Sequence, residues 1–297
     1  QGIVYNNLLD ATEMYISQNP RKLAKNSKKA YNTFLGMLNR YANKKGKSSL
    51  RFESINLTFE ENFTKFLNEN GYRQNYVDKM KMFVKAIMNY STDKGWNSNM
   101  EFRKIKRKPE KVDTIALREE EIELIRKAKV PTNYEVTRDV FVFSCLTGLR
   151  FSDYMNIEPE NRKGEFLNIK SIKTGKFITV PLVEKAAKIL DKYAGKSPKM
   201  SDPAFNGQRK EVFKLIPVCN ENEIIHSSAG GEITAKKVKR YELIASHTGR
   251  RTFATIWALS NKLSIPEIME ITGHESIASF QRYVRLDKAN VKATLEK

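Results

Sequence analysis

The chain has 297 residues, of which 40% are hydrophobic and 10% aromatic, and this composition favours a folded protein and excludes a disordered one. Its 53 basic and 34 acidic side chains leave a net charge of +19, which favours a polyanionic partner such as nucleic acid. No apolar run approaches the roughly 18 residues that a membrane-spanning helix needs. The N-terminus also lacks a secretory signal, so we expect a cytoplasmic protein without membrane contact.

The cysteines and histidines are few. Cys145 and Cys219 are far apart, and the only histidines are His226, His247 and His274. This spacing fits neither a zinc site nor a disulfide framework, so we expect no metal and no cofactor. The sequence starts at Gln1 rather than at Met, and we therefore expect a fragment or processed chain that an arm-binding domain could precede.

Residues 1–105 are predicted to form a helical domain of four or five helices. The first helix is expected over 4–17, and three apolar stripes at helical spacing follow, at 31–41, 59–67 and 76–87. We assign their aromatic side chains to the core. Residues 1–110 have a net charge of +11, against +8 for the rest of the chain.

A basic linker is predicted over 106–114, within the aperiodic stretch "EFRKIKRKPEKVDT" that starts at 101. A connector that crosses a DNA backbone would be basic, although a solvated linker has the same composition. The candidate DNA-binding side chains in this half of the chain are Lys22, Lys25, Lys28, Lys29, Arg103, Lys104, Lys106 and Arg107.

Residues 115–297 are predicted to form a second domain that is mainly α with a small antiparallel sheet. Helices are expected at 117–129, 133–146 and 183–193, and nearly continuously from His247, with Ser246 as the cap. Two strands with a Thr-Gly turn are expected within 165–182, and a hairpin within 222–237. The fold class is therefore α+β.

Four separated stretches of this domain carry polar side chains that need a common explanation. They are "TGLRFSD" at 147–153, "IKTGKFITVPL" at 172–182, "SHTGRRTFAT" at 246–255 and "GHESIASFQRYVRL" at 273–286. Each is weak evidence alone, because lysines in turns and an arginine after a glycine cap are common. Two arginines in the first turn of a helix are unfavourable, however, unless an anion is to bind there.

Together these stretches supply the groups that phosphodiester chemistry needs when no metal is present. Two guanidinium groups can stabilise the charge that builds on a phosphate. A tyrosine can form a covalent ester with phosphorus. Since the pKa of a phenol is about 10, it needs a base such as histidine, and the leaving oxygen needs an acid such as lysine.

This ordered set resembles the tyrosine recombinase, or phage integrase, family, and the match spans 147–286. The resemblance implies a helical core-binding domain followed by the catalytic domain. It implies that Tyr283 attacks a DNA phosphate and leaves a 3′-phosphotyrosyl link. It further implies that Arg150 and Arg250 clamp the phosphate with the help of His274, and that Lys173 is the general acid. By the same resemblance, His247 helps to accept the proton of the phenol, and Asp153 supports the first arginine.

Some positions depart from the family pattern or leave alternatives open. Gly249 replaces a bulkier apolar residue and Arg251 replaces a histidine, which concerns the fine geometry rather than the chemistry. Lys176 competes with Lys173 for the role of acid, and Lys176 and Arg251 are further candidate DNA contacts. The tail at 286–297 is expected to be a short helix that packs either on its own domain or on a neighbouring subunit.

The predicted function is site-specific recombination, for integration or excision of a mobile element. The implied partners are double-stranded DNA at an attachment or core site, further copies of the chain as a tetramer on DNA, and accessory DNA-bending proteins. A type IB topoisomerase has a similar catalytic set and is the alternative enzyme. A DNA-binding protein that does not cleave is a third possibility, but it would predict a damaged constellation.

Overall fold

The computed structural model describes residues 5–18, 23–110, 113–229 and 232–284, and the side chains at 227–229 and 232–234 are not described. The chain divides into two compact units, Gln1–Lys111 with Ser227–Thr234, and Val112–His226 with Ala235–Lys297. Within the described residues, no helix is both long enough and apolar enough to cross a bilayer. The predicted tail helix at 286–297 lies outside the described residues.

The first unit is helical, as predicted. Its helices are α1 (Leu8–Gln18), α2 (Lys25–Lys45), α3 (Leu57–Glu69) and α4 (Gln74–Asp93). The first helix begins later than predicted, because the Asn7 side chain accepts hydrogen bonds from the amides of Leu9 and Asp10.

The aromatic stripes form the core of this unit. The Tyr41 ring lies edge-on to Phe59, Phe63 and Phe66, with centroids 5.7, 5.2 and 5.3 Å away, and all four side chains are buried. The aperiodic stretch after 100 joins this core, since Phe102 and Ile105 are also buried. The assignment of these aromatics to the core is confirmed.

Among its described residues, the second unit combines nine α-helices with a small three-stranded sheet and part of a two-stranded hairpin, of which Ser227–Thr234 are assigned to the first unit. Its helices are α5 (Glu119–Lys127), α6 (Thr132–Thr147), α7 (Phe151–Tyr154), α8 (Glu184–Lys192), α9 (Asp202–Lys214), α10 (Arg240–Leu243), α11 (Thr248–Ser260), α12 (Ile265–Thr272) and α13 (Ile277–Gln281). The strands of its sheet are β1 (Arg162–Lys163), β2 (Phe166–Lys170) and β3 (Phe177–Pro181), and the strands of the hairpin are β4 (Asn222–Ala229) and β5 (Glu232–Lys239).

Strands β1–β3 form one antiparallel sheet, and β4–β5 form a second, two-stranded sheet. The register of the first sheet pairs Phe166 with Pro181 and Lys170 with Phe177, so the turn predicted at Thr174-Gly175 connects β2 to β3. The α+β prediction for this unit is therefore confirmed. Helix α9 was not predicted, and the helix expected from His247 onward is divided where Asn261 and Gly273 adopt left-handed conformations.

Helix α6 runs through the core of the second unit and supports α11. Val140, Phe141, Val142 and Phe143 are consecutive and all buried, so α6 is covered on every side. Gly249 lies in the contact between α6 and α11, where an added Cβ would be 2.6 Å from the Ser144 Oγ. The smaller residue at 249 therefore allows the close approach that brings the start of α11 to the end of α6.

Candidate active site

Arg150 lies just after the end of α6 and immediately before α7. Its Nη2 donates a 2.8 Å hydrogen bond to the carbonyl of Gly273, and its Nη1 lies 3.4 Å from the hydroxyl of Ser171. Only 13% of the side chain is exposed. The chain reaches this position through Gly148, which ends α6 in the left-handed conformation.

Asp153 is buried beneath Arg150 and connects it to the turn between β2 and β3. One carboxylate oxygen accepts a 3.0 Å hydrogen bond from the Ser171 hydroxyl, and the other accepts a 2.9 Å bond from the Ile172 amide. The nearest distance to the Arg150 guanidinium is 3.7 Å. Asp153 therefore fixes the start of this turn relative to Arg150.

Arg250 lies in the first turn of α11 and is only 1% exposed. Its Nη1 donates a 2.8 Å hydrogen bond to the carbonyl of Gly148, and its Cζ lies 5.3 Å from the centroid of the Tyr283 ring. Burial, followed by the charge of Arg150, lowers the pKa of Arg250 to about 10. The guanidinium is therefore still charged at neutral pH, at a helix end that favours anions.

His274 follows Gly273, which ends α12 with a φ of 63°. This left-handed conformation favours glycine, and an added Cβ would also require Ile178 to move, because its Cδ1 would be 2.6 Å away. The Nη2 of Arg250 lies 3.3 Å from His274 Nδ1 and 3.1 Å from Nε2. Because these two distances are nearly equal, the guanidinium nitrogen must lie over the face of the imidazole rather than in its plane.

The environment keeps His274 neutral. Burial, followed by the charges of Arg250 and Arg150, lowers the pKa of His274 to about 3. Its Nδ1 lies 2.7 Å from the hydroxyl of Thr272. The imidazole is thus held on its edge by a hydroxyl and on its face by a guanidinium.

Tyr283 follows α13 and is half-buried. Its amide donates a 2.7 Å hydrogen bond to the carbonyl of Phe280, and its own carbonyl lies 3.3 Å from the Thr255 hydroxyl. The ring centroid is 4.8 Å from that of His274 and 6.4 Å from that of His247. The phenol therefore lies among the two histidines and Arg250 of its own chain.

His247 precedes α11, and the predicted start of this helix was one residue early. The helix begins at Thr248, so the N-cap position belongs to His247 rather than to Ser246. The hydroxyl of Thr248 accepts from the amide of Ala245, which turns the chain into the helix. Burial, followed by the charges of Arg250 and Arg251, lowers the pKa of His247, so it too is neutral at pH 7.

Lys173 and Lys176 are exposed in the turn between β2 and β3. The turn is closed by two 2.8 Å hydrogen bonds, from the Ser171 amide to the Lys176 carbonyl and from the Gly175 amide to the Ser171 carbonyl. Lys173 is one of the charges that lower the pKa of His247, after burial and the arginines. Lys176 instead lies 3.5 Å from Glu275.

The other predicted DNA-binding residues are spread over both units. Arg251 is half-buried, and its guanidinium lies 3.4 Å from the carbonyl of Ile115. Lys22 lies outside the described residues. The remaining candidates are all exposed, in the first two turns of α2 and between 103 and 107: Lys25, Lys28, Lys29, Arg103, Lys104, Lys106 and Arg107. Their contacts with DNA stay predictions.

Three hydroxyl residues at this site were missed from the sequence. Ser171 bridges Asp153 and Arg150, Thr272 contacts His274, and Thr255 contacts the carbonyl of Tyr283. Thr272 could have been suspected, because a polar residue just before Gly-His interrupts the apolar face of its helix. Ser171 and Thr255 carry no such signal, since their partners are 18 to 28 residues away.

The arrangement suits binding and activation of a phosphate. Arg250 and two neutral imidazoles lie around the ring of Tyr283, and Arg150 is held next to them by the carbonyl of Gly273. The carboxylate of Asp153 is engaged with the turn between β2 and β3. Buried guanidinium groups stabilise an anion more strongly than exposed ones, because water screens them less. A neutral imidazole can also accept a proton, which a protonated one cannot.

Two family models match the chain. The "Phage integrase family" model covers 116–290, and the "Phage integrase SAM-like domain" model covers 7–108. Among curated proteins, the chain is similar to tyrosine recombinase XerA of Pyrococcus furiosus. The two are 27% identical over 242 residues, which cover 78% of this chain and 77% of the relative.

Solved structures of integrases share the fold. The Tn1549 transposon integrase, in complex with circular intermediate DNA, has a TM-score of 0.69 at 14% identity, and the match covers 99% of this chain and 100% of that one. A λ integrase tetramer bound to a Holliday junction has a TM-score of 0.66 at 13% identity, covering 94% and 77%.

The catalytic model alone covers more than half of the residues, and it includes every side chain gathered around Tyr283. The chain therefore belongs to the phage integrase family of tyrosine recombinases, and it is a site-specific DNA recombinase.

Proposed function

We propose that Tyr283 cleaves one DNA strand at a recombination site and becomes joined to its 3′ phosphate. The phenolic oxygen bonds to phosphorus while the bond from phosphorus to the 5′ oxygen breaks. Arg150 and Arg250 stabilise the phosphate oxygens as charge builds on them. The observation that carries this proposal is the buried guanidinium of Arg250, 5.3 Å from the Tyr283 ring.

Lys173 is the proposed acid for the departing 5′ oxygen. It extends from a turn whose start is fixed by Asp153, while Lys176 already faces the carboxylate of Glu275. His274 and His247 complete the set, since each is neutral and close to the phenol.

The reaction we propose needs neither metal nor ATP. The arginines supply the positive charge that a metal ion supplies elsewhere. The phosphotyrosyl ester replaces one phosphodiester bond by another, so the free 5′ hydroxyl of a partner strand can reverse it without an external source of energy.

We further propose that the chain acts as a tetramer on two DNA sites, to integrate or excise a mobile element. This rests on the likeness of its fold to the λ integrase tetramer on a Holliday junction and to the Tn1549 transposon integrase. Accessory DNA-bending proteins are an additional proposed partner. The basic excess of residues 1–110 would contribute to the grip on the duplex.

Covalent trapping tests the nucleophile. The DNA site is first selected from a pool of random duplexes by Tyr283→Phe protein, which should bind but not cleave. Nicked duplexes that carry the selected site are then incubated with wild type, Tyr283→Phe and the matched control Tyr134→Phe. We expect a denaturant-resistant protein–DNA adduct with wild type and Tyr134→Phe only, and mass spectrometry should locate it on Tyr283.

An equal adduct from Tyr283→Phe would refute the proposal.

If the adduct depends on Tyr283, two further readouts separate the recombinase from the topoisomerase. Joined products between two duplexes indicate recombination, whereas relaxation of supercoiled plasmid without any joining indicates a topoisomerase.

A further inference from the structure

Ser171 directly follows β2 and lies two residues before Lys173. It is only 1% exposed, although the next two residues of the turn, Ile172 and Lys173, are both exposed. A hydroxyl that is buried in a folded protein is usually hydrogen-bonded. The partners of the Ser171 hydroxyl therefore indicate what the side chain does at the start of this turn.

The two contacts of the Ser171 hydroxyl have only one possible direction. Its Oγ lies 3.0 Å from a carboxylate oxygen of Asp153 and 3.4 Å from Nη1 of Arg150. A carboxylate accepts hydrogen bonds and a guanidinium group donates them. The single hydrogen of the hydroxyl therefore goes to Asp153, and a lone pair of the same oxygen accepts from Arg150.

This hydroxyl joins two charged groups that do not reach each other. The nearest distance between the Arg150 guanidinium and the Asp153 carboxylate is 3.7 Å, which is longer than a hydrogen bond. Hydrogen bonds to charged groups are stronger than those between neutral groups, and bonds in a chain polarise one another. Ser171 thus links the guanidinium that we propose to hold the phosphate to the buried carboxylate.

The main chain of Ser171 closes the turn that carries Lys173. Its amide donates a 2.8 Å hydrogen bond to the carbonyl of Lys176, and its carbonyl accepts a 2.8 Å bond from the amide of Gly175. Lys173 lies between the residues that these bonds bring together. The same residue therefore contacts Arg150 through its side chain and closes the lysine turn through its main chain.

Building on the proposed function, we infer that Ser171 is a positioning residue that sets the place of Lys173 relative to Arg150. Lys173 then faces the leaving 5′ oxygen of the phosphate that Arg150 holds. Proton transfer requires the donor within hydrogen-bond reach of the acceptor, and a misplacement of about 1 Å can lower a rate by about 10²-fold. Ser171 itself exchanges no proton with the DNA: Lys173 gives its proton to the 5′ oxygen as the bond from phosphorus to that oxygen breaks.

Removal of this hydroxyl should disturb the lysine more than the arginine. Arg150 keeps the 2.8 Å hydrogen bond from its Nη2 to the carbonyl of Gly273. The turn keeps the bond from the Ile172 amide to Asp153 but loses the second bond to that carboxylate. Because one bond holds the turn less firmly than two, Lys173 should be aligned for a smaller part of the time. We therefore expect slower proton transfer with an intact phosphate clamp.

Cleavage of two matched nicked duplexes tests this role. Both carry the selected site, and they differ only in the leaving atom, which is the 5′ oxygen or a sulphur in its place. Sulphur leaves without protonation, because the pKa of a thiol is about 8.5. On the oxygen duplex, Ser171→Ala should form the adduct about tenfold more slowly than wild type, a part of the roughly 10²–10⁴ that acid–base catalysis supplies. On the sulphur duplex, its rate should be within about twofold of wild type, and its affinity for both duplexes should be unchanged.

Thr179→Val is the matched control. It removes a hydroxyl that donates a 2.9 Å hydrogen bond to Asn168 across the same two strands, on the exposed face of the sheet. It should cleave both duplexes at the wild-type rate. Should Ser171→Ala not fold, Ser171→Cys takes its place, because a thiol is of similar size but only a weak donor. The same recovery on sulphur is then expected.

An equal loss of rate on the two duplexes would overturn the inference, because it would show a defect other than proton transfer. A loss of less than twofold on the oxygen duplex would overturn it as well. Lys173→Ala, measured in parallel, separates this failure from that of the proposed function. If sulphur rescues Lys173→Ala but not Ser171→Ala, only the positioning role is wrong. If sulphur does not rescue Lys173→Ala, the proposed acid is wrong, and the role of Ser171 with it.

Discussion

The pocket around Arg250 and the turn between β2 and β3 both bring positive charge to the candidate site, but in different ways. Arg250 is 1% exposed and Arg150 13%, and both are bonded to backbone carbonyls. Lys173 is exposed in the turn, with only the start of that turn fixed by Asp153. The comparison fits the roles that we propose, in which the buried guanidinium groups bind the phosphate and the exposed lysine delivers a proton to the leaving oxygen.

Replacing Arg250 by lysine should cause the largest loss of cleavage rate. It tests whether a positive charge is enough in the buried region or whether the guanidinium geometry is needed. A lysine keeps the charge but cannot both donate to the Gly148 carbonyl and lie over the His274 ring. We expect adduct formation on the nicked duplex to slow by about 10³-fold.

Arg162→Lys, in a surface ion pair with Asp191, is the matched control and should cleave normally. Thermal unfolding of both variants shows whether a loss of rate reflects a loss of folded protein. If Arg250→Lys formed the adduct at a rate within tenfold of wild type, the positive charge would be sufficient and the shape of the guanidinium group would contribute little to cleavage.

Replacing Lys173 by alanine should have the next largest effect and tests the exposed region. We expect a loss of about 10²-fold in the cleavage rate, because the 5′ oxygen would leave without a proton. Sulphur in place of that oxygen should restore the rate, since a thiol has a pKa of about 8.5 and leaves without protonation. Lys176→Ala is the control and should lose little, and a sulphur-dependent rescue of Lys176→Ala instead would reassign the acid to Lys176.

The smallest expected effect is on the pH dependence of folding stability. Its measurement tests whether burial keeps His274 neutral. The pKa of His274 is about 3 in the folded chain, below the ordinary value of about 6.5 for an unfolded one. The unfolded state therefore binds the proton more readily, and this part of the stability, full above pH 6.5, is lost as the pH falls toward 3.

His274→Gln should flatten the decline of the urea midpoint between pH 7 and pH 4.5. His226→Gln, which removes an exposed imidazole, should keep the wild-type slope. If the urea midpoint of wild type and of His274→Gln declined equally with pH, the pKa of His274 would not be lowered in the folded protein.

The sequence predicted the elements better than the contacts between them. The stripes at 31–41 and 59–67 predicted α2 and α3 because helical spacing is a local property. The close approach of α11 to α6 at Gly249 could not be predicted, since it depends on Ser144, which lies more than 100 residues earlier. In the sequence alone, Gly249 is only a departure from the family pattern.

The candidate site was predictable as a set of residues but not as an arrangement. Arg150, Arg250, His274 and Tyr283 were recognised by their order along the chain. The hydroxyl of Ser171 bonds to Asp153 and that of Thr255 to the carbonyl of Tyr283, across 18 and 28 positions of the chain, and neither hydroxyl carries a chemical signature in the sequence. The preference of serine for the N-cap position favours Ser246, but the structure has His247 there, without a side-chain hydrogen bond to the helix.

Two hydrogen bonds limit how this enzyme can evolve. Arg150 donates to the Gly273 carbonyl, and Arg250 donates to the Gly148 carbonyl. Both acceptors belong to the main chain, so no codon change at the acceptor residue can delete them while the local path of the chain persists. The surrounding side chains can therefore change during evolution without loss of the bonds that hold the two guanidinium groups.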